Sequence, residues 1–161
     1  MIVKINPKTI SLDKKFQGMC KNPYYNHPKG CPYYGKRDIC PPGLPLLDEI
    51  LDFEKDIYLI YTPFRVGKKA EENKINHPDW NLRQIYNSRH WQGTARKKHK
   101  LEIEEFIKNH PEMYVETNAE AHGTNLTDLM ETQGIKLDWQ WPPEHNVNNI
   151  TYRVSIAGVK K

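Results

Sequence analysis

The residues best equipped for chemistry in this chain are its three cysteines, Cys20, Cys31 and Cys40. Their spacing is Cys20-x10-Cys31-x8-Cys40, so the close C-x2-C pairs of zinc ribbons are absent. Three thiolates carried on a wandering loop can still converge on a compact cluster. A [4Fe–4S] cubane presents its irons at separate corners, and its ligands need not be sequence neighbours. Three cysteines leave one iron for a non-cysteine ligand, water or substrate, and an open corner is what catalysis or sulfur transfer would use. Zn2+ is the competing metal. A Cys3His site would be closed and structural, with His27 inside the loop or His122 further along the chain as fourth ligand. The plainest alternative is three buried thiols with no metal at all. Spacing alone leaves iron–sulfur and zinc level.

The segment that must position these thiols runs from Cys20 to Pro45 and is rich in proline, glycine and tyrosine. It has neither helical nor strand periodicity. A loop of that length without a core of its own is functional or is held by something, and a metal would hold it. The rest of the chain supplies a scaffold. At 161 residues with 37% apolar and 27% charged side chains, it predicts one domain over 1–161 with a modest core, part of it built from nine tyrosines and four tryptophans. No apolar run approaches the length needed to cross a bilayer, and the start, Met1 to Pro7, is too short and polar for a signal peptide. The expectation is a soluble, cytoplasmic protein that does not engage membrane, in which a disulfide is disfavoured and the cysteines serve as ligands or as a reactive site. A net charge of +4 permits an anionic partner without demanding one.

Periodicity predicts strands at Ile2–Ile5, Ile57–Tyr61, Met113–Val115 and Ile150–Ile156. The second is apolar throughout, as a strand covered on both faces would be. Helices are predicted over 44–54, 66–75, 80–86, 94–109 and 126–132. The longest should bury Ala95, Lys98, Leu101, Ile103, Phe106 and Ile107, and Gly134 should close the last. Ile135–Trp141 reads as extended. The fold class is α/β, with a central sheet of about four strands, flanking helices and the cysteine loop.

The residues Cys31-Pro32-Tyr33-Tyr34-Gly35 and Cys40-Pro41-Pro42 move the balance between metals. With Cys20 before them, and with Leu46–Leu51 and Ile57–Tyr61 after them, they resemble the signature of the family catalogued as domain of unknown function 2284, described as predicted metal-binding proteins. Leu101–Phe106 is similar to that family's long helix, and Glu120-Ala121-His122-Gly123-Thr124-Asn125 is similar to a segment the family writes Glu-Ala-Cys-Gly-Ile-Asp. Thr132–Ile135 and Tyr152–Ile156 also follow its order. The chain departs from the pattern in two ways: Tyr114–Ala121 lacks the further cysteines of larger members, and His122 stands where the family has cysteine. The resemblance implies a reduced member with one metal site, iron–sulfur before zinc, and it names no reaction. It also makes His122 a candidate ligand, since imidazole can replace thiolate on iron.

Other constellations have plainer readings beside them. Arg89 to Lys100 interleaves cationic and aromatic groups, and Arg89, Trp91, Arg96, Lys97 and Lys98 could grip phosphates and stack on a base. The plainer reading is a solvated helical face paired with Glu102, Glu104 and Glu105. His77, His110 and His145 read as surface residues. Trp139 and Trp141, two apart, point the same way if extended and either wall a pocket or cap the core, the core being favoured. No Gly-rich phosphate loop, serine-hydrolase elbow or zinc-protease motif is present.

Three functional expectations result. The first is an iron–sulfur protein with Cys20, Cys31 and Cys40 as ligands and an open iron site. It would carry out redox, Lewis-acid or sulfur-transfer chemistry on a small substrate, with no catalytic residue assigned. The second is a structural zinc module that binds nucleic acid. The third is an electron-transfer protein serving a redox partner.

Overall fold

The computed structural model describes residues 1–23 and 27–161, so three positions inside the cysteine loop lie outside it. In chain order the elements are β1 (Ile2–Ile5), α1 (Lys14–Gln17), α2 (Leu47–Ile50), β2 (Ile57–Phe64), α3 (Val66–Asn76), α4 (Leu82–Ile85), α5 (Gln92–Asn109), β3 (Tyr114–Glu116), α6 (Leu126–Glu131) and β4 (Thr151–Gly158). The strands form one sheet in the order β1-β2-β4-β3 with every neighbouring pair antiparallel. This is the small α/β sheet with flanking helices that periodicity predicted. Among the described residues no helix is long and apolar enough to cross a membrane.

The strand β2 is apolar on both faces because both are covered. Ile57, Leu59 and Tyr61 join Leu47, Leu51, Leu129, Met130 and Ile156 on one side. Ile60 meets Phe106 and Ala157 on the other, under α5. Pro63 is tolerated near the end of β2 because β1 pairs only with Ile57–Ile60, which leaves that side of the strand without a neighbour to bond. A third cluster packs α3 and α4 through Val66, Ala70, Ile85 and Tyr86, against Phe64, Trp91 and Trp141.

Two expectations need correction. The helix predicted over 44–54 is a single turn, because Leu51 leaves it to bridge Lys160 while Lys161 N–H donates to Ile50 O at 3.0 Å. On α5 the buried stripe is Ala95, His99 and Phe106, whereas Lys98, Leu101 and Ile107 are exposed. His99 takes the inward place because two hydroxyls wait for it in the sheet. Ile135–Trp141, read as extended, has no helix and joins no strand of the sheet. It runs beside β4, where β3 has already ended: β3 pairs only with Ile156–Gly158, so the Thr151–Ser155 edge carries no described strand.

Candidate metal centre and adjoining cavity

Cys20 lies in a short 3-10 turn, Gly18–Lys21, directly after α1. Its carbonyl accepts the Cys31 N–H at 2.7 Å, which pins the first two cysteines together through the backbone. That approach requires glycine before Cys31. Gly30 has φ +78°, and a Cβ there would stand 2.6 Å from the carbonyl oxygens of Cys20 and Lys21. The third cysteine is tied in from the other side, since Gly35 N–H donates to Pro41 O at 2.7 Å and Cys40 N–H to Arg37 O at 2.9 Å. Two cation–π contacts brace the same turns: Lys21 lies 5.0 Å from the Tyr34 ring and Arg37 lies 3.6 Å from the Tyr33 ring.

The whole loop is docked by Gln17. Its buried side-chain amide donates to Leu44 O at 2.9 Å and to Ala121 O at 3.1 Å. One side chain therefore joins the helix before Cys20, the exit of the loop and the 3-10 turn Ala119–His122. Leu12 bridges Thr124 in the same region, and Asp13 N–H donates to Gly123 O at 2.9 Å.

The three thiols are half-buried and unpaired by disulfides, and Cys31 and Cys40 both lie within electrostatic reach of Cys20. Burial pushes the Cys20 thiol up, and Cys31, Glu120 and Cys40 add to the effect in that order. Among the described residues, however, no three His, Cys, Asp or Glu side chains close on a single ion position. One tetrahedral Zn2+ with bonds of about 2.3 Å would need sulfurs about 3.8 Å apart. Three soft donors gathered on one loop are of the kind that zinc and iron–sulfur clusters both take.

His122, expected near the metal, has other partners. Its Nδ1–H donates to Pro45 O at 2.8 Å, and Nε2 stands 3.6 Å from a Glu116 oxygen. It lines a cavity with Ile39, Leu44, Tyr114 and Glu116. The carboxylate whose field reaches Cys20 is Glu120, two residues earlier.

A cavity of about 410 Å3 opens beside the thiols and is lined by Cys20, Cys40, Glu120, Trp139, Tyr152 and Arg153, among others. Glu120 keeps solvent access, yet the concave wall crowds it. This partial desolvation raises its carboxyl, and Arg153 opposes the rise. Glu120 and Arg153 were not among the predicted site residues. Glu120 lies inside the Glu-Ala-His-Gly segment, and Arg153 is the one charged residue of the final strand. Those were the available signals.

No family model, curated protein or solved structure matches the chain. The resemblance noted above therefore rests on its quoted residues alone.

None of Arg89, Trp91, Arg96, Lys97 and Lys98 lines the cavity beside the thiols. Trp91 packs against Phe64, with ring centroids 5.7 Å apart, and against Trp141 at 5.6 Å, while Arg89, Arg96, Lys97 and Lys98 are exposed. Of the tryptophan pair, Trp141 joins that aromatic cluster and Trp139 remains 64% exposed, so Trp139 walls a pocket and does not cap the core. His145 is also no free surface residue: Nε2 is 2.7 Å from Glu71 and Nδ1 is 3.0 Å from the buried Tyr86 hydroxyl. The Ser155–His99–Thr62 chain has nucleophile-like composition, but all three are buried, so no substrate reaches it.

Proposed function

We propose that Cys20, Cys31 and Cys40 hold a [4Fe–4S] cluster with its non-cysteine corner toward the cavity of Glu120 and Arg153, and that the protein acts there on a small substrate. The observation that carries this reading is the folding of a core-less loop so that the half-buried thiols of Cys31 and Cys40 lie within the field of Cys20, with Cys20 and Cys40 on the wall of one cavity. When bound, such a cluster would supply a Lewis-acidic iron, an electron or a sulfur atom. The chain's own part is positional. Gly30 and Gln17 hold the thiols, His122 anchors the loop exit through Pro45, and Glu120 and Arg153 set the polarity of the cavity. Closure of the fourth corner by a protein side chain would instead favour simple electron transfer to a redox partner. Anaerobic reconstitution with iron and sulfide tests the proposal. It predicts a cluster signal by electron paramagnetic resonance after reduction, lost in Cys20→Ser, Cys31→Ser and Cys40→Ser; no signal in any preparation would end it.

One observation favours the nucleic-acid reading as a second, separate activity. Arg65, Lys68, Lys69, His90 and Lys98 line a groove of about 620 Å3 with Phe64 at its wall, and the Lys98 ammonium lies 5.5 Å from that ring. Cations around an aromatic face suit a single-stranded polyanion. Single-stranded RNA or DNA should bind with a steep salt dependence that flattens in Arg65→Ala, Lys68→Ala and Lys98→Ala. Absence of binding at low salt would dismiss this activity and leave the cluster proposal untouched.

A further inference from the structure

The cavity beside the cysteines is built for a particular shape and charge. A second cavity of about 370 Å3 adjoins it, and the two share Leu137, Trp139 and Tyr152 as lining residues. Each is of the size that small-molecule sites use. Their common wall is aromatic, and its outer face is Trp139. This indole is 64% exposed, yet its Nε1–H donates to Thr127 Oγ1 at 3.1 Å. A tryptophan fixed at its polar end and bare on its ring is a prepared stacking surface, because little side-chain freedom remains to be lost on binding.

The charge comes from Arg153. It is half-buried on β4, its backbone is in register with Thr62 of β2, and its guanidinium forms no hydrogen bond to any described residue. Arg96 lies close enough to repel it, and Glu120 is the carboxylate that attracts it. A guanidinium carries five N–H donors in a planar fork matched to carboxylate or phosphate oxygens. Here that fork is partly desolvated, faces a cavity and has a second cation behind it. The β4 edge at Thr151–Ser155, without a described strand neighbour, adds backbone donors and acceptors beside the ring site.

We propose that this cavity binds a flat aromatic anion, its ring against Trp139 and Tyr152 and its carboxylate or phosphate on Arg153. The substrate role of such a molecule rests on the cluster reading, but its binding does not. Metal content measured on the same samples therefore separates failure of one from failure of the other.

The test is calorimetric titration of the full chain with four probes: adenosine monophosphate, adenosine, indole-3-carboxylate and indole. The paired probes distinguish a nucleotide from an aromatic acid as the source of the anion. At least one anion should bind one-to-one and exceed its neutral parent by about tenfold or more. Arg153→Gln should remove that preference, leaving the neutral parent within about twofold, while Trp139→Ala should weaken anion and parent alike. Trp139 is exposed, so its variant should keep the fold even if the Arg153 variant does not, and Arg153→Lys, which keeps the charge but loses the fork, gives a second reading of the anion contact. No binding by either anion at millimolar concentration, or binding indifferent to both Trp139→Ala and the Arg153 variants, would overturn the proposal.

Discussion

His99 is the residue on which the packing of α5 against the sheet turns. Its Nδ1 is 2.8 Å from Thr62 Oγ1 and its Nε2 is 2.7 Å from Ser155 Oγ. A neutral ring satisfies both, donating to one hydroxyl and accepting from the other. Burial, reinforced by Arg153 and the N-terminus against Glu102, lowers its pKa from 6.5 to about 4. The unfolded chain thus binds the proton more readily than the folded one between those values. Stability attributable to this group is complete above pH 6.5 and is lost as pH falls toward 4, by at most about 3 kcal/mol. Urea unfolding at pH 7 and pH 4.5 should show that loss, and His99→Gln should flatten it; an unchanged slope in the variant would refute the assignment. None of this was legible in the sequence. The helical repeat allowed Lys98 or His99 to face inward, and the deciding hydroxyls, Thr62 and Ser155, lie 37 and 56 residues away.

At the scale of elements, the cysteine loop behaves as a part clamped by the backbone. Gly30 is the tightest point, and the expected effect of filling it is specific. Gly30→Ala should cost about 1–2 kcal/mol from its left-handed φ alone, and its Cβ should force Cys31 away from Cys20 and Lys21. Iron incorporation should fall sharply. Gly18→Ala is the control, because a Cβ there meets nothing within 4 Å. Equal iron content in the two variants would show that the loop is not held as described. The loop's dependence on an external fastening was legible in its lack of periodicity, but the fasteners were not. Gln17, Ala121 and the Ala119–His122 turn come from elements whose pairing with the loop leaves no local pattern. The elements themselves were legible where periodicity was strong, as in β2 and α5. They were misjudged where a distant partner intervened, as when the C-terminus draws Leu51 out of α2.

At the scale of the molecule, the sheet divides the labour. One face and α5 make a dry packing layer pinned by His99, while the open edge of β4 faces the thiols, Glu120 and the tryptophan wall. The core cluster on the opposite face of the sheet contains no described residue between Cys20 and Pro45. A loop outside the core, carrying three thiols of which two line a cavity, is the arrangement the proposed bound group would complete. The measurement that tests this most directly is iron, zinc and acid-labile sulfide per chain in protein purified without oxygen. The account predicts up to about four irons with matching sulfide, reduced in each cysteine variant. One zinc per chain with neither iron nor sulfide would contradict it.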